Sequence, residues 1–320
     1  MMTLSKLAKL ANVSVSTASK AFSGSPEVSD ETRNMIFDIA RENHCFRKFY
    51  NAKYPKVVIA IIAPEFKGAY YTRYLCCIQD ELEKANCELC VSTTNFSEEK
   101  ERSLLEYYCR YASVDGIIVM GSLVNTFPEQ EIPVVFITPT NKQPNCVSVS
   151  LDFVPALRQT IDYLKSKNVS SVGFIGETLT HGKLKAVTQI FAEEYIPLNR
   201  QHIVISDKRF EAGGYDAMEK LFAQEQLPRV VICAYDHMAI GAIQCIYDHG
   251  LTVPEDIAVI GFDDIAEAKF LNPPLSSIYV HVEDICRLAS QAILQNINGE
   301  SAELSQRVTS ELKLRRSFEL

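Results

Sequence analysis

From residue 57 onward, short apolar runs alternate with amphipathic stretches, and this alternation constrains the fold more than any other feature. Residues 57–63, 87–93, 116–120 and 134–137 read as strands, with helices over 70–85 and 98–111 between them. A second series follows: helix 154–167, strand 172–175, helix 183–194, strand 203–205, helix 212–224, strand 229–233, helix 237–249 and strand 258–261. Such a pattern predicts βαβ units and a parallel sheet covered on both faces. Two doubly wound lobes fit it better than one oversized sheet. Pro273-Pro274-Leu275-Ser276-Ser277-Ile278, a helix over 282–297 and a strand over 312–314 read as late crossovers, the helix packing back on the first lobe. The expected core is therefore 57–320, with lobe 1 about 57–152 and 279–305 and lobe 2 about 153–278 and 306–320.

The first 44 residues follow another rule. Thr3 can cap a first helix whose Leu4, Leu7, Ala8 and Ala11 fall at i, i+3, i+4 and i+7. Ser14 can cap a second helix over 15–22, ended by Gly24. At 100° per residue, Ser16, Ser19 and Lys20 share one small polar face, while Ala18, Ala21 and Phe22 turn toward the first helix. Ser29 caps a third helix with a buried stripe of Met35, Ile36, Ile39 and Ala40, ending near Asn43-His44. This geometry predicts a helix-turn-helix headpiece over 1–44. A face of that kind fits the major groove, where Lys20 can donate to guanine or to phosphate. An ordinary helical hairpin with a solvated face would share the pattern. Residues 45–56, CFRKFYNAKYPK, read as a basic, aromatic linker.

Charge separates the two parts. Residues 1–56 hold nine Lys and Arg against five Asp and Glu, a balance of +4, whereas the chain carries −8 and the remainder therefore −12. An acidic body repels a polyanion, so nucleic acid would bind at the front. The run VSVSTASKAFSGSPEVSDETRNMIFDIARENH resembles the headpiece of the lactose-repressor family of bacterial transcription regulators. The matching features are Val13-Ser14, Thr17, Ser19 before a basic residue, Gly24 and Val28-Ser29-Asp30-Glu31-Thr32-Arg33. The resemblance implies that Val15, Ser16 and Lys20 choose the bases. Ala18 stands where Val is usual and Lys20 where Arg is usual; Lys lacks the bidentate fork of Arg. Further candidates for DNA contact are Thr3, Ser14, Thr17, Ser19, Ser23, Ser29 and Thr32, with Tyr50, Lys53 and Tyr54 in the linker. In the family that segment becomes a hinge helix whose apolar wedge opens a base step from the minor groove. The usual Leu is missing here, leaving Phe49, Tyr50 or Tyr54 as the wedge, or a linker that only touches phosphates.

The later segments resemble the same family's effector-binding core, itself similar to periplasmic sugar-binding proteins. They are Cys233-Ala-Tyr-Asp-His-Met-Ala-Ile-Gly-Ala, Gly250-Leu-Thr-Val-Pro-Glu-Asp-Ile-Ala-Val-Ile-Gly-Phe-Asp-Asp-Ile265 and Leu312-Lys-Leu-Arg-Arg-Ser317. The expected fold is thus α/β: a three-helix headpiece followed by a two-lobed, periplasmic-binding-protein-like core with parallel sheets. Ligands of open α/β sheets sit beyond the carboxyl ends of the strands, which singles out Tyr70, Tyr71, Ser122, Thr138, Asp152, Lys183, Phe210, Tyr235 and Asp263. Asp263 occupies the family's hydroxyl-binding position in Gly261-Phe262-Asp263-Asp264. Lys183 replaces an Arg that grips the sugar, Tyr235 an Asn, Thr138 a frequent Asp and Phe153 the Asn after Asp152. A sugar or sugar phosphate is the expected effector, with Lys183 and nearby His181 able to meet a phosphate or carboxylate. Asp236 reads as an N-cap.

Neither cofactor nor metal is expected. Cys87 and Cys90 would point to opposite faces of a strand as buried thiols, and the six histidines form no ligand-spaced pair. GxSxG, GxxxxGK[ST], HExxH and GxGxxG are all missing, so no enzyme is expected. The partners implied are double-stranded operator DNA, a small-molecule effector and a second copy in a homodimer, since one headpiece contacts too few bases. The end at Ser317-Phe-Glu-Leu320 shows no Leu heptad for a tail-built tetramer. With no membrane-length apolar run and no signal-peptide pattern, the expected compartment is the cytoplasm. The competing expectation is a cytoplasmic sugar- or solute-binding protein without a DNA role.

Overall fold

The computed structural model describes residues 2–43, 45–49, 56–110, 112, 114–124, 132–138 and 146–320, with backbone alone for Arg47 and Lys48. The chain divides into two compact units, Met1–Val57 and Val58–Leu320. In the first, α1 (Leu4–Leu10), α2 (Val15–Phe22), α3 (Asp30–Glu42) and the short α4 (Phe46–Phe49) enclose one small core. Thr3, Ser14 and Ser29 each accept a backbone N–H at the start of α1, α2 and α3. Asn12, at φ 52°, makes the turn between the first two helices.

Two headpiece expectations need correction. Met35 is 42% exposed, and Phe37 takes its place beside Ile36, Ile39 and Ala40 in the α3 stripe. Cys45, Phe46 and Phe49 belong to the headpiece core rather than to a linker. The i, i+3 spacing of Phe46 and Phe49 sets both rings against Phe22, at centroid distances of 6.0 and 5.8 Å. That packing removes Phe49 as a free wedge.

In the second unit the strands are β1 (Val58–Ala63), β2 (Glu88–Thr93), β3 (Gly116–Met120), β4 (Val134–Thr138), β5 (Val147–Asp152), β6 (Val172–Glu177), β7 (Ile203–Ser206), β8 (Val230–Cys233), β9 (Ala258–Phe262), β10 (Ser276–Val280) and β11 (Ser305–Lys313). The helices are α5 (Ala69–Lys84), α6 (Glu98–Arg110), α7 (Val154–Ser166), α8 (His181–Glu193), α9 (Phe210–Phe222), α10 (Asp236–Asp248) and α11 (Val282–Ile297). The strand order is β2-β1-β3-β4-β5-β11-β10-β9-β8-β6-β7, and every described pairing is parallel except β10 with β11. The first half of β11 pairs with β5 in lobe 1, and its second half pairs with β10 in lobe 2. Helix α11 packs on α5 and on β3–β5, so the chain returns to lobe 1 before β11.

The sequence anticipates a strand only over 312–314 and misses β5 and β10 altogether. All three carry serines that interrupt an apolar run, and Ser148, Ser150, Ser276, Ser277 and Ser310 are buried with hydrogen-bond partners. Ser148 and Ser150 donate to the carbonyls of Leu304 and Gln306, at 3.4 and 3.2 Å. Ser276 donates to the Arg315 carbonyl at 2.7 Å. A satisfied hydroxyl is tolerated inside a sheet where an unpaired one is costly.

Asp236 is likewise not the N-cap that the sequence suggests, because Tyr235 holds that position without a capping bond. The Asp236 carboxylate is fully buried and accepts from the Ile265 amide at 2.8 Å and the Ser277 hydroxyl at 2.7 Å, tying α10 to the loop after β9. Burial, reinforced by the Asp263 carboxylate, pushes its pKa well above the usual carboxylate range, making it a weaker acid. The folded state therefore binds this proton more tightly than the unfolded state, and the Asp236 contribution to stability is lost as pH rises through the raised folded value. Asp236→Asn keeps an acceptor oxygen, so its stability relative to the parent should improve steadily as pH is raised from the ordinary carboxylate range. Urea unfolding of both proteins across pH measures this, and a pH-independent difference would contradict it.

Candidate functional site

The headpiece presents the α2 face outward. Val15 is 46% exposed, Ser16 and Ser19 are exposed, and Ala18, Ala21 and Phe22 are buried beneath them. Lys20 stands on that outward face with its ammonium paired to Glu27, a carboxylate that the sequence reading left out. Both side chains are largely solvated, so the pair is worth less than about 1 kcal/mol and can yield to a phosphate or a guanine edge. Thr17 is half-buried and bonds the Ser14 hydroxyl at 2.8 Å. Ser29 donates to the Thr32 hydroxyl at 2.9 Å, and Ser23 to the Lys20 carbonyl at 3.1 Å. Thr3, Ser14 and Ser29 thus shape helix starts while remaining at the surface. Tyr50, Lys53 and Tyr54 lie outside the described residues.

The second group of residues converges at the strand ends, between the lobes of the core. A cavity of about 870 Å³ there is lined by Tyr70, Tyr71, Lys183, Phe210, Tyr235 and Asp263, and by Asp152 and Phe153. A smaller cavity of about 420 Å³ shares Tyr70 and Tyr71 and adds Ser122 and Thr138. Lys183 reaches from α8 to donate to Asp263 Oδ1 at 3.0 Å and to the Ala234 carbonyl at 2.9 Å. Its ammonium sits 4.9 Å from the Phe262 ring centroid and 5.8 Å from that of Tyr70. Ser122 donates instead to the buried Glu101 carboxylate, which also accepts from the Leu123 amide, so this hydroxyl has a structural partner. His181 turns its ring to the Thr178 carbonyl at 2.6 Å and is not among the residues lining either cavity.

The backbone bends sharply where the cleft needs it. Asp263 and Asp264 follow β9 at φ 95° and 47°, a conformation uncommon for residues with a Cβ. Arg73 from lobe 1 donates to both of their carbonyls, at 3.3 and 3.4 Å, and Arg315 grips the Asp264 carboxylate. Phe210, at φ 56°, donates its amide to the Tyr235 hydroxyl at 3.0 Å, which fixes both rings on one wall. Burial pushes the Tyr235 phenol up to about 12, and raises those of Tyr70 and Tyr71 as well, so all three stay neutral donors.

Three residues lining the cleft escaped the sequence reading: Glu65, Glu177 and Arg209. Arg209 spans the lobes, donating to both oxygens of Glu65 at 2.6 and 3.0 Å and to Glu177 at 3.2 Å. Their positions just past β1, at the end of β6 and after β7 are the signal, since strand ends face the cleft. The larger cavity is lined by four acidic residues, Glu65, Asp152, Glu177 and Asp263, and four basic ones, Lys183, Lys185, Arg209 and Arg307, a balance of zero.

Comparison with known proteins joins the two halves. Residues 3–44 match the family model described as bacterial regulatory proteins, lacI family. Residues 161–318 match the periplasmic binding protein-like domain. The chain is 26% identical over 318 residues to catabolite control protein A of Priestia megaterium, covering 95% of each. It is 28% identical over 309 residues to the ribose operon repressor of Haemophilus influenzae, covering 93% of this chain and 92% of that one. A solved transcriptional regulator CelR–cellobiose complex shares the fold, with a TM-score of 0.69 at 21% identity, over 99% of this chain and 100% of that one. A core of this type without a headpiece would describe a solute-binding protein, the competing expectation. The chain carries both parts, a headpiece of the lacI family of bacterial regulatory proteins and a periplasmic binding protein-like domain, and aligns with repressors over nearly its whole length.

Proposed function

We propose that the chain is a transcriptional repressor of carbohydrate-related genes that binds operator DNA as a homodimer and responds to a neutral sugar in the cleft. The single observation that supports it most is the outward α2 face of Val15, Ser16, Ser19 and Lys20, whose small side chains let a helix lie against base-pair edges. Two headpieces on one dimer multiply affinity through effective concentration, which one short helix cannot supply. No helix among the described residues is long and apolar enough to cross a membrane, and a DNA ligand puts the working protein in the cytoplasm.

The balance of charge in the cleft favours a neutral polyol over a sugar phosphate. Lys183, Arg209 and Arg307 each face a carboxylate, so an anion meeting any of these three would displace that partner and leave it without a counter-charge, while the fourth lining cation, Lys185, is exposed to solvent. Hydroxyls can instead share these groups, and the rings of Tyr70, Phe153, Phe210 and Tyr235 supply apolar faces for a sugar ring. The cellobiose named with the solved relative, and the ribose operon named for the Haemophilus relative, agree with that chemistry. The regulator binds and releases; it carries out no reaction.

Two substitutions separate the sites. Lys20→Ala should weaken operator binding by about 1 to 3 kcal/mol and relax base preference, read by fluorescence anisotropy against operator variants; unchanged affinity and preference would contradict the proposed DNA contact. Asp263→Asn fits the same backbone, since Asn tolerates positive φ. It should weaken, at least tenfold, the binding of whichever neutral sugar shifts the parent's melting temperature, and leave sugar-free DNA affinity unchanged. Sugar affinity equal to the parent's would place the pocket elsewhere.

A further inference from the structure

One cluster lies apart from both the cleft and the headpiece. Cys245 and His249 are four residues apart, on one face of α10 and its C-cap, and Glu219 faces them from the last turn of α9. Each offers one ligand atom, and the three atoms lie within 4.8 Å of one another. Glu219 Oε1 is 3.6 Å from the Cys245 sulfur and 3.7 Å from His249 Nε2. Zinc bonded to sulfur at about 2.3 Å and to nitrogen or oxygen at about 2.0 to 2.2 Å spans tetrahedral ligand edges of roughly 3.4 to 3.6 Å. The two edges that meet at Glu219 therefore stand close to coordination distance without any movement of the helices.

The histidine is also prepared for the role. Its Nδ1 lies 3.0 Å from the Cys245 carbonyl and 3.8 Å from the Cys245 sulfur; the carbonyl can only accept, so a proton on Nδ1 satisfies it and leaves the lone pair on Nε2, 3.7 Å from Glu219 Oε1. Metal-binding histidines are commonly held this way by a backbone carbonyl on the other ring nitrogen. The ring is further fixed by stacking on Phe222, with centroids 3.9 Å apart and planes 8° from parallel. The sequence reading found no ligand-spaced pair because it sought histidines together; the spacing here is Cys-x-x-x-His on a helix, and its third member comes from the neighbouring helix.

We propose that Glu219, Cys245 and His249 form a binding site for a thiophilic divalent cation of the zinc class, with a fourth position open to solvent. Thiolate, imidazole and carboxylate together select zinc, cobalt or cadmium over magnesium or calcium, which prefer all-oxygen ligands. Glu219 and His249 keep 45% and 35% of their side-chain surface exposed, so an ion has a path in. A bound ion would clamp the carboxyl ends of α9 and α10, the two helices whose amino ends carry Phe210 and Tyr235 on the cleft wall.

Cobalt(II) titration of the full chain under reducing conditions tests this. One equivalent should produce a thiolate-to-cobalt charge-transfer band that zinc displaces. Cys245→Ser should abolish that band although nine other cysteines remain. Glu219→Gln and His249→Ala, both at exposed positions and so independent of whether the serine variant folds, should each weaken binding at least tenfold. No band in the parent, a band unchanged in Cys245→Ser, or cobalt affinity unchanged in both Glu219→Gln and His249→Ala would overturn the proposal.

Discussion

Strand β11 is the constraint on which the core depends. Its nine residues pair in parallel with β5 through Ser305–Thr309 and antiparallel with β10 through Ser310–Lys313, so one strand belongs to both lobes. Lobes joined this way can bend or twist about the shared strand, but sliding would break hydrogen bonds on both sides. The other chain crossings, from β5 into α7 and from β10 into α11, adjoin the same seam. Movement is therefore confined to opening and closing the space above the strand ends. That is where Lys183, Asp263, Arg209 and the tyrosines stand.

Contacts across that space are polar and incompletely buried. Arg209 meets Glu65 with its own side chain 30% exposed, and Arg73, also 30% exposed, reaches the carbonyls of Asp263 and Asp264. Pairs of this kind hold a geometry without dominating the energy, because the attraction is largely offset by lost hydration. A ligand that supplies hydroxyls to the same groups can shift the balance between lobe arrangements by a few kcal/mol or less. Where DNA binding also favours one arrangement, the coupling is reciprocal: the ligand changes DNA affinity by the factor by which DNA changes ligand affinity.

Much of this was legible in the sequence, and the failures have physical causes. The alternating apolar runs identified most of the strands because buried parallel strands need continuous hydrophobic residues, as Val58–Ala63 and Gly116–Met120 show. Strands β5 and β10 escaped because Ser148, Ser150, Ser276 and Ser277 look polar until their carbonyl and carboxylate partners are known. Asp236 looked like a cap for the same reason: a carboxylate at a helix start is usually local, and this one bonds residues 29 and 41 positions away. Asp263, Lys183, Phe210 and Tyr235 were found from strand ends and motif. Glu65, Glu177 and Arg209 also stand at strand ends but were passed over, since nothing local shows that Arg209 pairs with a carboxylate 144 residues away. In the headpiece, capping and periodicity were enough for α1 to α3, but the aromatic packing of Phe46 and Phe49 on Phe22 was not foreseen.

The central claim is that a front module carrying an excess of positive charge reads DNA while an acidic core does not. The most direct measurement is the salt dependence of duplex DNA binding by the intact chain and by a fragment beginning at Val58, where the second compact unit starts. The intact chain should bind, with affinity falling linearly on a logarithmic salt scale as phosphate counterions are released, and the fragment should not bind at any salt concentration. Equal binding by both, or none by either at low salt, would contradict the account.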